Sequence, residues 1–161
     1  MKISAVDQSP IFSDTNANQA LKETTELAKH CDSLGMNRFW VAEHHGSSSF
    51  AGCSPEILIP HLASETENIR IGSGGVMLPN HAPLVIAEQY ALLEALHPGR
   101  IDLGIGRAPG SDRQTMAVIR GSAAALSVED FPRDLVDVMG LLGDVITDHG
   151  LWNKFSATPV A

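Results

Sequence analysis

The sequence predicts an α/β fold in which four βα units follow one another and build a parallel sheet. Short apolar runs recur roughly every thirty-odd residues, and stretches with helical periodicity separate them. The runs are uniformly apolar, which is typical of strands that are covered on both faces, as in parallel sheets. No shift in composition marks a linker, so residues 1–161 are expected to form a single domain.

Turn residues delimit the first two units. A β-prone run covers Lys2–Val6, and Pro10 prevents its continuation. A helix is predicted over Asn16–Leu34, because apolar and small residues recur there at helical spacing and Gly35 follows as a left-handed C-cap. The second strand is predicted over Phe39–Ala42.

The next helix begins with a capping signal, in which Ser54 is the predicted N-cap and Pro55 occupies the tolerated first position. Pro60 is expected to bend this helix, because proline removes a backbone hydrogen bond. The rest of the chain is predicted to contain a strand, a helix, a fourth strand, a loop rich in small and polar residues, and a last amphipathic helix. The predicted strands and helices of this part are Ile69–Val76, Leu84–Leu96, Arg100–Gly106 and Phe131–Val145.

Two architectures accommodate four βα units: a small doubly wound sheet and the first half of a (β/α)8 barrel. The periodicity does not separate them, and in both of them ligands bind beyond the carboxyl ends of the strands. The segments at those ends are Asp7-Gln8-Ser9, Glu43-His44-His45, Gly74–Met77 and Gly106–Ala108.

Composition restricts the partners. The formal net charge of −8 argues against nucleic acid and anionic membranes, because both need basic patches. The chain has no apolar run of about 18 residues and no apolar leader. Its two cysteines lack a framework spacing, and a cytoplasmic protein with reduced thiols is expected.

The segment Glu43-His44-His45 follows the second strand directly. Neighbouring side chains of an extended chain point to opposite sides, so at most one histidine faces a pocket. That histidine could act as a general base, and the alternative is a surface turn with two solvated histidines. The spacing of potential ligands indicates no metal site.

Glycines interrupt the third predicted strand and continue from the end of the fourth into the loop that follows. Gly72-Ser73-Gly74-Gly75 is costly within a strand, and close approach of a planar ligand is the favoured interpretation. The run Gly104–Gly110 departs from the dinucleotide fingerprint, because its third glycine is displaced and Pro109 interrupts the helix start. Arg107 within it suits a phosphate or planar anion; the alternative is a salt bridge with Asp102 or Asp112.

Three separated segments resemble the luciferase-like monooxygenase family, and the similarity is closest to its bacterial flavin-dependent oxidoreductases. The resemblance covers nearly the whole chain and implies a (β/α)8 barrel, of which this chain holds the first four units. The segments are Phe39–His45, Ile71–His81 and Pro98–Asp112.

The resemblance implies an oxidoreductase that uses reduced FMN and O2 on an organic substrate, or coenzyme F420 in some branches. It makes His44 the candidate catalytic base and places Glu43 near the flavin ring. It implies a non-proline cis peptide at Gly74–Gly75, behind the ring. Arg107 matches a position that reaches the flavin phosphate. A separate flavin reductase is the usual source of reduced flavin in this family.

Members of this family are much longer than this chain, so strands five to eight are expected to be absent, and a truncated gene, a fragment and a split barrel all remain open as interpretations. A non-catalytic flavin-binding or interaction module is therefore the alternative function. Open sheet edges and an apolar concave face predict a homo-oligomer.

Overall fold

A computed structural model describes residues 1–108, 111–121, 130–143 and 157–159. The four strands lie in one parallel sheet with the order β1-β2-β3-β4. Leu78–Asn80 forms a 3₁₀ turn after the third strand. In chain order the strands and helices are β1 (Ser4–Asp7), α1 (Ala17–Ser33), β2 (Arg38–Val41), α2 (Pro55–Ser64), β3 (Arg70–Met77), α3 (Pro83–Leu96), β4 (Ile101–Gly106), α4 (Arg113–Arg120) and α5 (Phe131–Leu141).

Helix α1 has the boundaries that its sequence predicts. The Asn16 side chain accepts a hydrogen bond from the Gln19 backbone N–H, and Gly35 follows the helix with a left-handed φ of 67°. The buried face includes Ala28 and Cys31. Burial raises the pKa of the Cys31 thiol, which agrees with its predicted place in the core.

The prediction of a structureless loop after β4 is wrong, because α4 lies within it. The Asp112 carboxylate accepts hydrogen bonds from the backbone N–H groups of Gln114 and Thr115, and Gly121 ends the helix with φ 69°. The cap and the terminal glycine thus enclose a short helix in a polar segment. The predicted end of the last helix, Val145, lies outside the described residues.

Helix α2 differs from its prediction in one detail. Ser54 occupies the N-cap position, but its side chain makes no capping hydrogen bond. Pro55 occupies the first turn as predicted, and the helix continues past Pro60 to Ser64. The Ser64 hydroxyl donates to the Pro60 carbonyl oxygen at 2.8 Å. No helix among the described residues combines the length and the apolarity that crossing a bilayer requires.

The chain divides into two compact units, Met1–Val76 with Gly99–Ile105 and Met77–Pro98 with Gly106–Ala161. The first contains β1, β2 and the helices α1 and α2, and α2 packs against β2. The second contains α3 packed against α5. Ile71 is fully buried in the first unit, and Ala87 is fully buried in the second.

The carboxylate of Asp102 joins two arginines on the face of the sheet that carries Trp40. The strand register pairs Arg38 with Arg70, which places two positive charges side by side. Asp102 Oδ2 lies 2.8 Å from Nε of each arginine, and Oδ1 lies 2.8 Å from Nη2 of Arg70. Residues two positions apart along a strand lie on the same face, so Arg38 and Trp40 share one face of β2. A charged layer therefore interrupts the apolar face that the strand pattern predicts.

Burial opposes ionisation of Asp102, but the hydrogen bonds and charges of Arg70 and Arg38 outweigh it. They hold the pKa of this carboxyl below its ordinary value of 3.8. A carboxyl whose pKa is lower in the folded state stabilises the fold above the unfolded pKa. This stabilisation is lost as the pH falls through the folded pKa.

Asp102→Asn should lower the free energy of unfolding near neutral pH by about 2 kcal/mol, because both guanidinium groups lose their anionic acceptor. The difference from wild type should shrink well below pH 3.8, where the wild-type carboxyl is protonated as well. Urea unfolding followed by circular dichroism at both pH values measures this. Asp14→Asn, at an exposed aspartate, is the control. An undiminished difference in acid would contradict the assigned charge interaction.

Candidate functional site

A cavity of about 350 Å³ lies in the carboxyl halves of the four strands. All four strands contribute residues to it. The carboxyl ends of the strands are also where a parallel sheet of this kind binds ligands. The volume falls within the range of small-molecule sites. Its lining residues are Val6, Trp40, Ser73, Gly74, Gly75, Gly104 and Ile105.

The indole of Trp40 lies against the backbone of β3. A Cβ atom at position 72 would come within 2.7 Å of Trp40 Cζ3 and within 2.6 Å of the Asp102 carbonyl oxygen. A Cβ atom at position 74 would lie 3.1 Å from Trp40 Cβ. The glycines at positions 72 and 74 therefore both accommodate the side chain of Trp40, and Gly74 and Gly75 also line the cavity.

Strands β3 and β4 approach each other closely at Ser73 and Gly104. The Ser73 side chain is fully buried, and its hydroxyl donates to the Gly104 carbonyl oxygen at 2.8 Å. The Ser73 hydroxyl oxygen in turn accepts a hydrogen bond from the Gly104 N–H at 3.1 Å. A Cβ atom at position 104 would overlap the carbonyl oxygen of Ser73, so a side chain is excluded there.

The peptide bond between Gly74 and Gly75 is cis. The family resemblance implies a non-proline cis bond at this position, and the structure contains it. Because both glycines line the cavity, this bond forms part of the cavity wall.

Glu43 and His45 form a buried contact beyond the carboxyl end of β2. The side chain of Glu43 is 1% exposed and that of His45 is 24% exposed, and Oε1 lies 2.6 Å from Nε2. Val41 pairs with Ser73, so Glu43 and Gly75 each follow by two residues. The contact lies in the turn that follows β2, and neither Glu43 nor His45 is among the lining residues of the cavity.

The ring of His44 makes a separate contact. It stacks on Phe50 with ring centroids 4.7 Å apart and an interplanar angle of 29°. Its Nδ1 is buried and has no hydrogen-bond partner among the described residues. Proton exchange between His44 and a ligand would therefore use Nε2.

A strap of two short segments, residues 8–12 after β1 and residues 46–53 after β2, holds this turn. The two segments pair through an antiparallel bridge between Pro10 and Phe50. The His44 N–H also donates to the Gly52 carbonyl oxygen at 3.2 Å. The remaining backbone hydrogen bonds of the strap are Ile11 N–H to Ser49 O at 2.8 Å and Ala51 N–H to Ser9 O at 2.9 Å.

The side chain of Asp7 anchors one end of the strap. Its Oδ2 accepts from the Thr24 hydroxyl at 2.5 Å and from the Ser9 N–H at 3.2 Å. Ser9 is buried and has a left-handed φ of 52°, which is uncommon for a residue with a side chain. Helix α1, through Thr24, therefore fixes the chain at the carboxyl end of β1.

Arg107 is exposed and follows directly after β4, in the second compact unit. The two carboxylates considered as its salt-bridge partners have other contacts. Asp102 is bound by Arg38 and Arg70, and Asp112 accepts from backbone N–H groups at the start of α4. Pro109 and Gly110 of the same glycine-rich run lie outside the described residues.

Comparison with known proteins gives the affiliation. Residues 1–142 match the luciferase-like monooxygenase family. The chain belongs to this family. A luciferase-like monooxygenase of Escherichia coli strain K12 is 45% identical over 136 residues, which are 84% of this chain and 40% of the relative.

Solved structures of the family agree with the fold. The crystal structure of apo-MsnO8 is 42% identical and superimposes with a TM-score of 0.88, covering 98% of this chain and 46% of that one. The oxygenating constituent of 3,6-diketocamphane monooxygenase from Pseudomonas putida, solved in complex with FMN, is 21% identical with a TM-score of 0.76. The match covers 94% of this chain and 42% of that protein, and it shows the fold alone.

These comparisons decide between the two architectures that the sequence left open. The luciferase-like chain has the fold of the first four βα units of a TIM-type barrel, as the resemblance implies. It spans less than half the length of each of the three proteins.

Sequence reasoning missed four lining residues of the cavity in this luciferase-like chain, Trp40, Val6, Gly104 and Ile105, whereas Ser73 belongs to the glycine-rich run that was predicted to approach a ligand. A signal for the first was available, because the register pairs Trp40 with Gly72, a large aromatic residue beside a residue without a side chain. Gly104 carries no comparable signal, since its contact with Ser73 depends on how closely two strands approach.

Gly104→Ala should lower the free energy of unfolding by about 3 kcal/mol or more, because its Cβ overlaps a backbone oxygen that cannot move alone. Gly35→Ala is the matched control: no atom lies within 4 Å of its added Cβ, so only the left-handed φ is penalised, by about 1 kcal/mol. Thermal and urea unfolding measure both. Equal losses of unfolding free energy in the two variants would show that the close approach of β3 and β4 does not exclude a side chain at position 104.

Proposed function

We propose that this chain supplies the first half of a flavin-dependent monooxygenase site that oxidises an organic substrate with reduced FMN and O2. The observation that carries the proposal is the cavity whose wall is the backbone of Gly74 and Gly75 beside the Trp40 indole. Membership of the luciferase-like monooxygenase family supports it. The FMN complex of the Pseudomonas putida protein favours FMN as the cofactor.

The residues of the cavity fit a flat heteroaromatic ring. At Gly74, Gly75 and Gly104 the wall consists of backbone alone, so a planar group can approach closely. Apolar and aromatic surface comes from Val6, Trp40 and Ile105. Such a mixture of aromatic surface and bare polar backbone is typical of cofactor sites.

When bound, reduced flavin would supply the electrons that activate O2. The chain's own residues would orient the ring against the glycine backbone and exclude water from that side through the buried layer that includes Ser73 and Val76. His44, presented on Phe50, would exchange a proton with the reacting molecule at Nε2. Glu43, which follows the carboxyl end of β2, is proposed to act near the ring.

Arg107 is proposed to hold the flavin phosphate. The chain has a formal charge of −8, so a dianionic phosphate needs a local cation. Arg107 is exposed and follows β4, a strand whose Ile105 lines the cavity.

Reduced flavin is proposed to come from a separate flavin reductase. Assembly of the chain into a homo-oligomer stays a prediction.

Arg107→Ala should weaken FMN binding about tenfold or more and leave riboflavin binding nearly unchanged, because only FMN carries the phosphate. Titration of the chain with each flavin, followed by flavin fluorescence, measures both affinities. Arg133→Ala removes the same charge from another exposed arginine and is the control. Parallel losses for FMN and riboflavin would exclude the phosphate role, and absence of binding by wild type would exclude the proposed function for this chain.

His44→Ala should reduce the rate of substrate oxidation about 10²-fold, while FMN affinity changes little, because a general acid–base group acts on the reacting proton and not on cofactor binding. Stopped-flow oxidation of reduced FMN under O2, combined with fluorescence titration, separates the two effects. His30→Ala, at an exposed histidine on α1, is the control. Unchanged turnover would identify His44 as a packing residue against Phe50.

A further inference from the structure

A second cavity, of about 360 Å³, lies between helices α1 and α2 in the first compact unit. Its volume falls within the range of small-molecule sites. No residue lines both this cavity and the one at the strand ends, so the two are separate. The wall of the second cavity consists of Leu21 of α1, residues 51–54 before α2, and Ile57, Leu58 and His61 of α2.

The lining of the second cavity is mainly apolar. Among the described residues that form it there is no aspartate, glutamate, lysine or arginine. An ion bound there would lose its hydration without gaining a counter-charge, which is costly. The cavity therefore suits a neutral molecule. Ile57 is 71% exposed and Cys53 is also exposed, so such a molecule can enter from solvent.

Part of the wall is fixed before any molecule binds. The Gly52 carbonyl oxygen accepts a hydrogen bond from the His44 N–H at 3.2 Å, and the Ala51 N–H donates to the Ser9 carbonyl oxygen at 2.9 Å. These two bonds belong to the strap and hold its end against the cavity. A preorganised wall loses little conformational freedom on binding, which favours affinity.

The hydrogen bonds of Thr25 determine which nitrogen of His61 carries the proton. The Thr25 hydroxyl donates to the Leu21 carbonyl oxygen at 2.8 Å. A hydroxyl has one proton, so the same oxygen can only accept from His61 Nε2, which lies 3.1 Å away. Neutral His61 therefore has its proton on Nε2 and a lone pair on Nδ1, which makes this side chain a hydrogen-bond acceptor in the cavity wall.

We propose that the second cavity is a binding site for a small neutral molecule with an apolar body and one hydrogen-bond donor, such as an alcohol or a phenol. The apolar body contacts Leu21, Ile57 and Leu58, and the donor bonds to Nδ1 of His61. This site does not depend on the proposed monooxygenase function, because it shares no lining residue with the cavity at the strand ends.

The test uses Cys53 as a reporter and p-cresol as the probe, without any flavin. The chain has two cysteines and Cys31 is buried, so iodoacetamide should alkylate Cys53 first, as mass spectrometry can verify. The alkylation rate of Cys53 should fall about tenfold when p-cresol is present at about ten times its dissociation constant, because a bound molecule covers the thiol. A rate that does not change with p-cresol would overturn the proposal.

Toluene and benzoate test the chemical class. Toluene has the apolar body of p-cresol without the hydroxyl, so half-maximal protection of Cys53 should need about fivefold more of it. His61→Phe should abolish this difference. Equal protection by the two molecules in wild type would overturn the donor requirement, and protection by anionic benzoate would overturn the requirement for a neutral molecule.

Leu58→Trp tests the location, because the larger side chain fills the cavity. Protection by p-cresol should be lost in this variant and retained in Leu27→Trp, the same substitution at an exposed leucine of α1 outside the cavity. Protection that persists in folded Leu58→Trp would overturn the site. Where Leu58→Trp does not fold, the comparison of p-cresol with toluene in wild type and His61→Phe decides.

Discussion

The contact between Ser73 and Gly104 is the constraint on which the cavity depends. The serine hydroxyl bonds to both backbone groups of Gly104, and this double contact leaves no volume for a side chain between β3 and β4. The wall of the cavity at this position is therefore peptide backbone. The steric reason for this holds with or without a ligand. A flat surface of this kind is then available to any planar molecule that reaches it.

The same face of the sheet changes its chemistry along the strands. Toward the amino ends, Asp102 neutralises one of two adjacent arginines, and toward the carboxyl ends glycine backbone lines the cavity together with the side chains of Val6, Trp40 and Ile105. Trp40 lies between these layers, with the Arg38 guanidinium 6.0 Å from its ring centroid. Barrels of this type generally keep the residues that stabilise the fold apart from those that bind ligands. Here the charged layer and the cavity lie on the same face of the sheet, because every second residue of a strand points to that face.

The sequence predicts the regular elements well, because apolar runs and caps are local signals. It also indicates the carboxyl ends of the strands as the ligand-binding side, and Gly74 and Gly75 do line the cavity there. What could not be predicted depends on distances between segments far apart in sequence. Alternation places Glu43 and His45 on the same side, for example, but it does not reveal that one is fully buried and bonded to the other.

The exposed position of Arg107 illustrates another limit of sequence reasoning. A residue type beside glycines indicates which ligand group could be bound, but it does not tell whether the side chain has an internal partner. For Arg107 the two suspected partners, Asp102 and Asp112, are engaged by Arg38, Arg70 and the start of α4, which only the three-dimensional structure shows. Local composition therefore indicates which ligand group a side chain can bind. It does not show whether another residue of the protein already pairs with that side chain.

The strap between residues 8–12 and 46–53 has a consequence for binding entropy. Its backbone hydrogen bonds fix the turn that carries the two histidines during folding, so the loss of conformational freedom occurs before any ligand arrives. A mobile loop would instead lose that freedom on association and weaken the complex. Restraint of these residues thus depends on Thr24 and Asp7, at the far end of the strap, as much as on the turn itself.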